Sequence, residues 1–250
     1  EDEDIVSKVV EGFKKAEDAR RPYEDKWLRF YKLYRNYKED RVDNKANLHI
    51  PYTFSVVETV VPRIISTLFA SRPYIGYLPT NSDSVDRAKN MEALVDYQLV
   101  QKVGFVTVAT EWIKSALIYG NGILKVGWQF EESDIVKREP IKILGVNIGS
   151  RPVLTTEVTK DEPIVECIDI FDFYISPGAL SIDDAPYVIH KVVRSKEYLE
   201  DMAEKGLYEN IEDIEDETTE TGIDVRLSEL GISGVDKKGI TLYEYWTNDR

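Results

Sequence analysis

Residues able to do chemistry are few in this chain, and they are scattered. Asp169 and Asp172 follow the apolar run Ile164-Val165-Glu166-Cys167-Ile168. Two carboxylates near a strand end could hold a divalent cation as nuclease carboxylates do, and carboxylates at that position also cap turns. Only two histidines occur, His49 and His190, far apart in sequence and without a cysteine partner. That spacing favours hydrogen-bonded structural histidines over zinc ligands. Cys167 is the single cysteine, which excludes an internal disulfide and fits a reducing, cytosolic origin. Its apolar neighbours predict a buried small side chain.

Gly120-Asn121-Gly122 invites a phosphate-binding reading, but the order of elements is reversed. Phosphate loops run from strand through glycines to a helix N-terminus, whereas here a helix comes first and offers its carbonyl end. No Gly-Lys-Ser/Thr follows, and no Gly-x-Ser-x-Gly elbow occurs anywhere. The acidic run Glu212-Asp213-Ile214-Glu215-Asp216-Glu217 lacks the alternation and glycine of a calcium loop. No catalytic, cofactor-binding or metal-ligating residue is therefore assigned, and no cofactor is expected.

The elements that would position these residues divide the 250-residue chain into a helical part, 1–122, and a β-rich part, 123–250. Val6, Val9, Phe13, Ala16, Tyr23, Trp27, Phe30 and Tyr34 are spaced by threes and fours, which predicts one apolar helix face. Pro22 should kink or restart that helix. A second helix is predicted from about Thr53 to Ala70, bent or split at Pro62. Thr80-Asn81-Ser82-Asp83 supplies an N-cap for a third. If continuous from Ser84 to Tyr119, the third helix would be a rod of ~50 Å at ~1.5 Å per residue. Gly104 equally allows two abutting helices.

Strand chemistry follows at Ile123 to Phe130, Ile135 to Val146, Val153 to Thr159, Ile164 to Ile170 and Tyr187 to Arg194. Pro140, Gly145, Gly149, Pro152 and Pro163 punctuate these runs as turn residues do. Ser195 should cap a short helix that Gly206 ends, and Glu209 to Thr221 reads as an acidic exposed loop. The fold class is α+β, a helical N-terminal half with a long helix followed by a mostly antiparallel β-rich section.

Composition narrows the partners. A formal charge of −14 opposes a conventional nucleic-acid binder, because it would repel phosphates. A local basic cluster (Arg20, Arg21, Lys26, Arg29, Lys32, Arg35 and Lys38) is interspersed with Glu24, Asp25, Glu39 and Asp40, which predicts ordinary surface pairing. The many tyrosines suit subunit interfaces as well as cores. No signal peptide and no apolar run long enough to span a bilayer is present. A first residue Glu1 and a strand-like Ile240 to Trp246 close to Arg250 predict an excerpt of a longer polypeptide.

One ordered series of segments goes further. Asn47-Leu48-His49-Ile50-Pro51-Tyr52-Thr53-Phe54 leads into Val56 to Ile65, then Ser71-Arg72-Pro73 and a long helical stretch. Ala116-Leu117-Ile118-Tyr119-Gly120-Asn121-Gly122-Ile123-Leu124-Lys125-Val126 makes a helix-to-strand junction, and Phe171-Asp172-Phe173-Tyr174-Ile175-Ser176-Pro177-Gly178-Ala179 closes the series. In this order, from about Trp27 to Trp246, the chain resembles the tailed-bacteriophage portal protein, the head-to-tail connector, in its N-terminal or wing portion. Ser176 stands where aspartate is common in that family.

The resemblance implies a structural protein and not an enzyme. It implies a homo-oligomeric ring of about a dozen subunits at a unique capsid vertex of the virion. Such a ring is assembled in the host cytoplasm and has no membrane partner. Double-stranded DNA would pass through its channel without sequence specificity during packaging and ejection. Major capsid protein, the terminase motor, scaffold and tail adaptor proteins would dock on it. Stem, clip and crown are expected beyond residue 250. Two other readings remain open from the residues alone: a non-viral α+β oligomeric scaffold, and a metal-dependent nuclease using Asp169 and Asp172.

Overall fold

The computed structural model describes residues 2–37, 50–143, 146–211, 214–215, 217–232 and 237–247. His49, Lys38, the segment from Asn47 to His49 and parts of the acidic run (Glu212, Asp213 and Asp216) lie outside them. The chain is α+β with antiparallel sheets, as the sequence predicts. It forms two compact units, one of Glu1–Arg63, Trp112–Ile123 and Ile168–Arg250, the other of Ile64–Glu111 and Leu124–Cys167.

The first unit is organised by helix α1 (Asp2–Tyr34), which runs uninterrupted across Pro22. A restart there does not occur. The proline's missing bond and its ring clash together cost about 3 kcal/mol, and the packing of the long helix offsets that. The predicted stripe holds in part: Val9, Phe13, Ala16, Trp27 and Tyr34 are buried or half-buried, whereas Val6, Tyr23 and Phe30 are exposed. Gly12, Arg20, Glu24, Leu28 and Tyr31 turn inward as well. Phe13 and Ala16 pack on Tyr174, Ile189, Tyr187 and Tyr245, and Trp27, Leu28 and Tyr31 pack on Tyr119, Ile170 and Phe171.

Helix α2 (Tyr52–Leu68) also passes its proline, Pro62, without splitting. Tyr34 donates to Glu58 Oε1 at 2.6 Å, and Lys114 Nζ lies 2.8 Å from the same oxygen. That triad ties α1 to α2 and to the end of α4 (Phe105–Tyr119). The lysine first, then the tyrosine hydroxyl, hold the Glu58 carboxyl below its ordinary pKa.

A four-stranded antiparallel sheet, ordered β3-β4-β6-β5, completes the unit. Its strands are β3 (Phe173–Ile175), β4 (Tyr187–Arg194), β5 (Glu217–Thr219) and β6 (Lys237–Thr247). Strand β5 falls inside the segment expected to be a loop, because Glu217, Thr218 and Thr219 pair with Gly239, Lys238 and Lys237. Helix α5 (Lys196–Glu204) has the predicted cap, with Ser195 Oγ accepting from Tyr198 N at 3.3 Å. Helix α6 (Gly222–Glu229) carries no apolar stripe long enough to be predicted.

The second unit holds the expected long helix, which is broken. Helix α3 (Val85–Tyr97) gives way to a π turn, Gln98–Val103, then Gly104, before α4 begins. Gly104 sits at φ 63°, the left-handed region where a Cβ is penalised, so a continuous rod is excluded. Phe69 stacks edge-on against Tyr74 and Phe105, with centroids at 4.9 and 5.8 Å. The loop after α2 is tied to α3 by Tyr74 N to Asp96 Oδ1 and Tyr77 N to Glu92 Oε2, both 3.3 Å.

The four strands predicted between Ile123 and Ile170 are two. Strand β1 (Ile123–Ile143) and strand β2 (Val146–Ile168) form one long two-stranded ribbon. Trp128 to Asp161, Asp134 to Thr156 and Glu139 to Arg151 contacts run in opposite order along the two strands, so the ribbon is antiparallel. Pro140, Gly149, Pro152 and Pro163 lie within strands and do not end them. Each strand of a ribbon has one unpaired edge, and a proline nitrogen facing that edge removes no ladder bond.

Candidate functional site

Of the residues singled out for chemistry, Asp169 and Asp172 meet in the first unit, at the junction of α1, α4, α6 and the turn Ile170–Asp172. Asp169 caps that turn, accepting from Phe171 N at 3.1 Å. Its Oδ1 also accepts from Arg226 Nη1 at 3.0 Å, and its Oδ2 lies 2.5 Å from Arg226 Nη2. Arg226 donates at 3.1 Å to the Tyr119 hydroxyl, and its guanidinium lies among the rings of Tyr31, Tyr119 and Phe171. Burial disfavours the arginine's charge, but Asp169 and Tyr119 outweigh it and raise its pKa. Burial pushes the Tyr119 hydroxyl up to about 12, so it stays a neutral acceptor.

Asp172 faces a different group. Both its oxygens accept from Gly222 N, at 3.1 and 3.2 Å, at the first residue of α6. A helix N-terminus favours a carboxylate there. Gly222 is required by the close approach, since a Cβ would lie 2.6 Å from Phe171 Cβ and 3.1 Å from Asp169. The pair proposed as metal ligands thus spends its oxygens on protein donors. Among the described residues no group of three or more histidine, cysteine and acidic side chains is placed to hold a metal ion.

Burial raises the Asp172 pKa above the ordinary carboxylate value, against the Gly222 bond, which lowers it. A carboxyl whose folded pKa exceeds its unfolded one loses stability as pH climbs from the unfolded value through the folded one. Asp172→Asn keeps an acceptor for Gly222 and removes that loss. Urea titrations at pH 3 and pH 7 should show the variant gaining on the parent as pH rises. The opposite trend would mean that the charged form is the one the junction needs.

Arg20 is the second lock. Its Nη1 donates to the carbonyls of Phe171 and Phe173 at 3.0 and 2.9 Å, its Nη2 meets Glu24 at 2.5 Å, and its guanidinium covers Tyr174 at 3.7 Å. Of the other basic residues, Arg21 faces Asp18 and Lys26 lies over Tyr23 at the surface, whereas the half-buried Lys32 pairs with Glu229 of α6. His190 Nδ1 lies 3.2 Å from Glu244, its cross-strand neighbour, so it is hydrogen-bonded as expected. Cys167 is half-buried, not buried. Gly120 closes α4 with its N–H on Ala116 O, the turn role predicted for it.

Asp169 and Asp172 stand out in the sequence, whereas Arg226 and Gly222 do not and Arg20 reads there as a surface residue. Their partners lie as many as 153 residues away, and no local pattern marks them. The arrangement clamps elements together. It gives no nucleophile a base.

The charged residues of the junction lock elements of this α+β fold in place. Residues 5–144 and 147–248 match the phage SU10 portal protein family, and the chain belongs to that family. It is thus a phage portal protein, which removes the non-viral scaffold reading. No curated protein matches the chain. Among the described residues no helix is long and apolar enough to cross a membrane.

Proposed function

We propose that this chain forms a closed ring of about a dozen copies at one capsid vertex. Double-stranded DNA passes through the ring during packaging and ejection, and the terminase motor, major capsid protein, scaffold and tail adaptor proteins dock on it. The family match along nearly the whole chain carries this reading. The charge of −14 supports it, because a strongly acidic subunit offers DNA little adhesion. Contacts to a passing duplex then depend on backbone charge and shape, so no base sequence is preferred.

In this reading residues 1–122 and 123–250 are the helical and β-rich parts of the wing, with stem, clip and crown elsewhere in the polypeptide. The ring itself hydrolyses nothing, and ATP chemistry belongs to the motor. The test is negative-stain imaging with native mass of the full-length protein across salt concentrations. Rings with a central hole and about twelvefold symmetry are expected. A monomer or dimer under every condition, with scaffold protein supplied, would sink the proposal.

A further inference from the structure

The second unit is unfinished as a monomer. Among its described residues Ala109 is the one buried side chain, whereas the first unit buries Ile189, Leu199 and many more. Many of its large apolar side chains are exposed, and nine of them fall on two surfaces. One is a face of the ribbon. Val126, Trp128, Phe130 and Val136 on β1 and Leu154 and Val158 on β2 are 52–70% exposed. Along β1 they alternate with half-buried Gly127, Gln129, Glu131 and Ile135, and the Thr156–Asp134 bond sets Leu154 and Val158 on the same side. The other is a stripe on α3, Met91, Leu94 and Tyr97, 45–53% exposed and spaced by threes.

We infer that the α3 stripe of one copy packs on the ribbon face of the next, so that neighbouring copies complete each other's second unit. This rests on the ring reading and names its contact. A ring of more than two copies needs two different surfaces per subunit, since like-on-like contact closes at a dimer. The second unit supplies two, one helical and one flat.

Their size is also right. Nine half-exposed large side chains amount to roughly 900 Å², taking ~200 Å² for each when fully exposed. That is the apolar share, about 57%, of a standard interface of about 1,600 Å². Charge complements the fit. Arg87 lies one turn before Met91 on the exposed flank of α3, and Glu132 and Asp134 lie between Phe130 and Val136 on the ribbon face.

The test uses two full-length variants altered at exposed positions, Phe130→Glu with Leu154→Glu on the ribbon and Met91→Glu with Leu94→Glu on the helix. Circular dichroism and thermal melting should match the parent, since no buried residue changes. In native mass measurements the parent assembles, while each variant alone stays monomeric at concentrations about tenfold above those the parent needs. Mixed in equal amounts, the variants form a dimer and stop there, because the intact ribbon of one meets the intact helix of the other and no further sound pair remains.

A helix variant that assembles like the parent overturns the pairing, as does a mixture that stays monomeric while the parent forms rings. Where the parent forms rings only with scaffold protein supplied, the same comparison is made in its presence, and variants that still form rings there overturn the pairing. A parent that stays monomeric under every condition removes the ring reading, and this inference falls with it.

Discussion

Arg226→Ala should lower the unfolding free energy by about 3 kcal/mol, at the lower end of what breaking a buried ion pair costs. The low end applies because both partners keep some exposure, 13% and 19% of their side chains. The loss is not the value of one attraction. Removing the guanidinium strands the Asp169 carboxylate in a pocket formed by Phe171 and α6, takes a donor from the Tyr119 hydroxyl, and empties the space between three aromatic rings. Removing Asp169 as well should restore part of the loss, because the stranded charge goes with it. Urea denaturation of both single variants and the double variant reads this coupling directly. If Arg226→Ala costs less than about 1 kcal/mol, within the range of an exposed pair, the junction is not what fixes α6.

Ile189→Ala is expected to cost about 3–5 kcal/mol, and Ile189→Val about 1. Ile189 is fully buried at the centre of β4, paired with Tyr174 on one side and Tyr245 on the other. Helix α1 covers it through Ala16 and Phe13. Alanine leaves a cavity that β4, bonded on both edges, cannot collapse to fill, whereas valine removes a single methylene. Against the ~5–15 kcal/mol of an ordinary domain, the alanine variant should melt many degrees lower. Equal losses for the two variants would mean that the strand relaxes freely around the site.

Local signals were legible where one segment decides its own conformation. The Ser195 cap, the Gly206 stop, the Gly120 helix end and strand β4 all follow from residues within a few positions, and so does the α+β class. The long rod was not legible, because Gly104 permits a continuous helix or a break with nearly equal local cost. Nor was the ribbon. Pro140, Pro152 and Pro163 signal turns in isolation, and only pairing along one edge makes them tolerable within strands. Part of the inward face of α1 was hidden for a related reason, although Val9, Phe13, Ala16, Trp27 and Tyr34 were legible from their spacing. Gly12 and Arg20 look like surface residues until Tyr187 and the turn at Phe171 supply something to meet.

By itself, then, the sequence determined the family, the α+β composition and the acidic character, since each depends on the order, periodicity and charge of residues along the chain. Only the tertiary structure decided what Asp169 and Asp172 are for. A carboxylate takes its role from the donors around it, and Arg226 and Gly222 reach these two from 57 and 50 residues away.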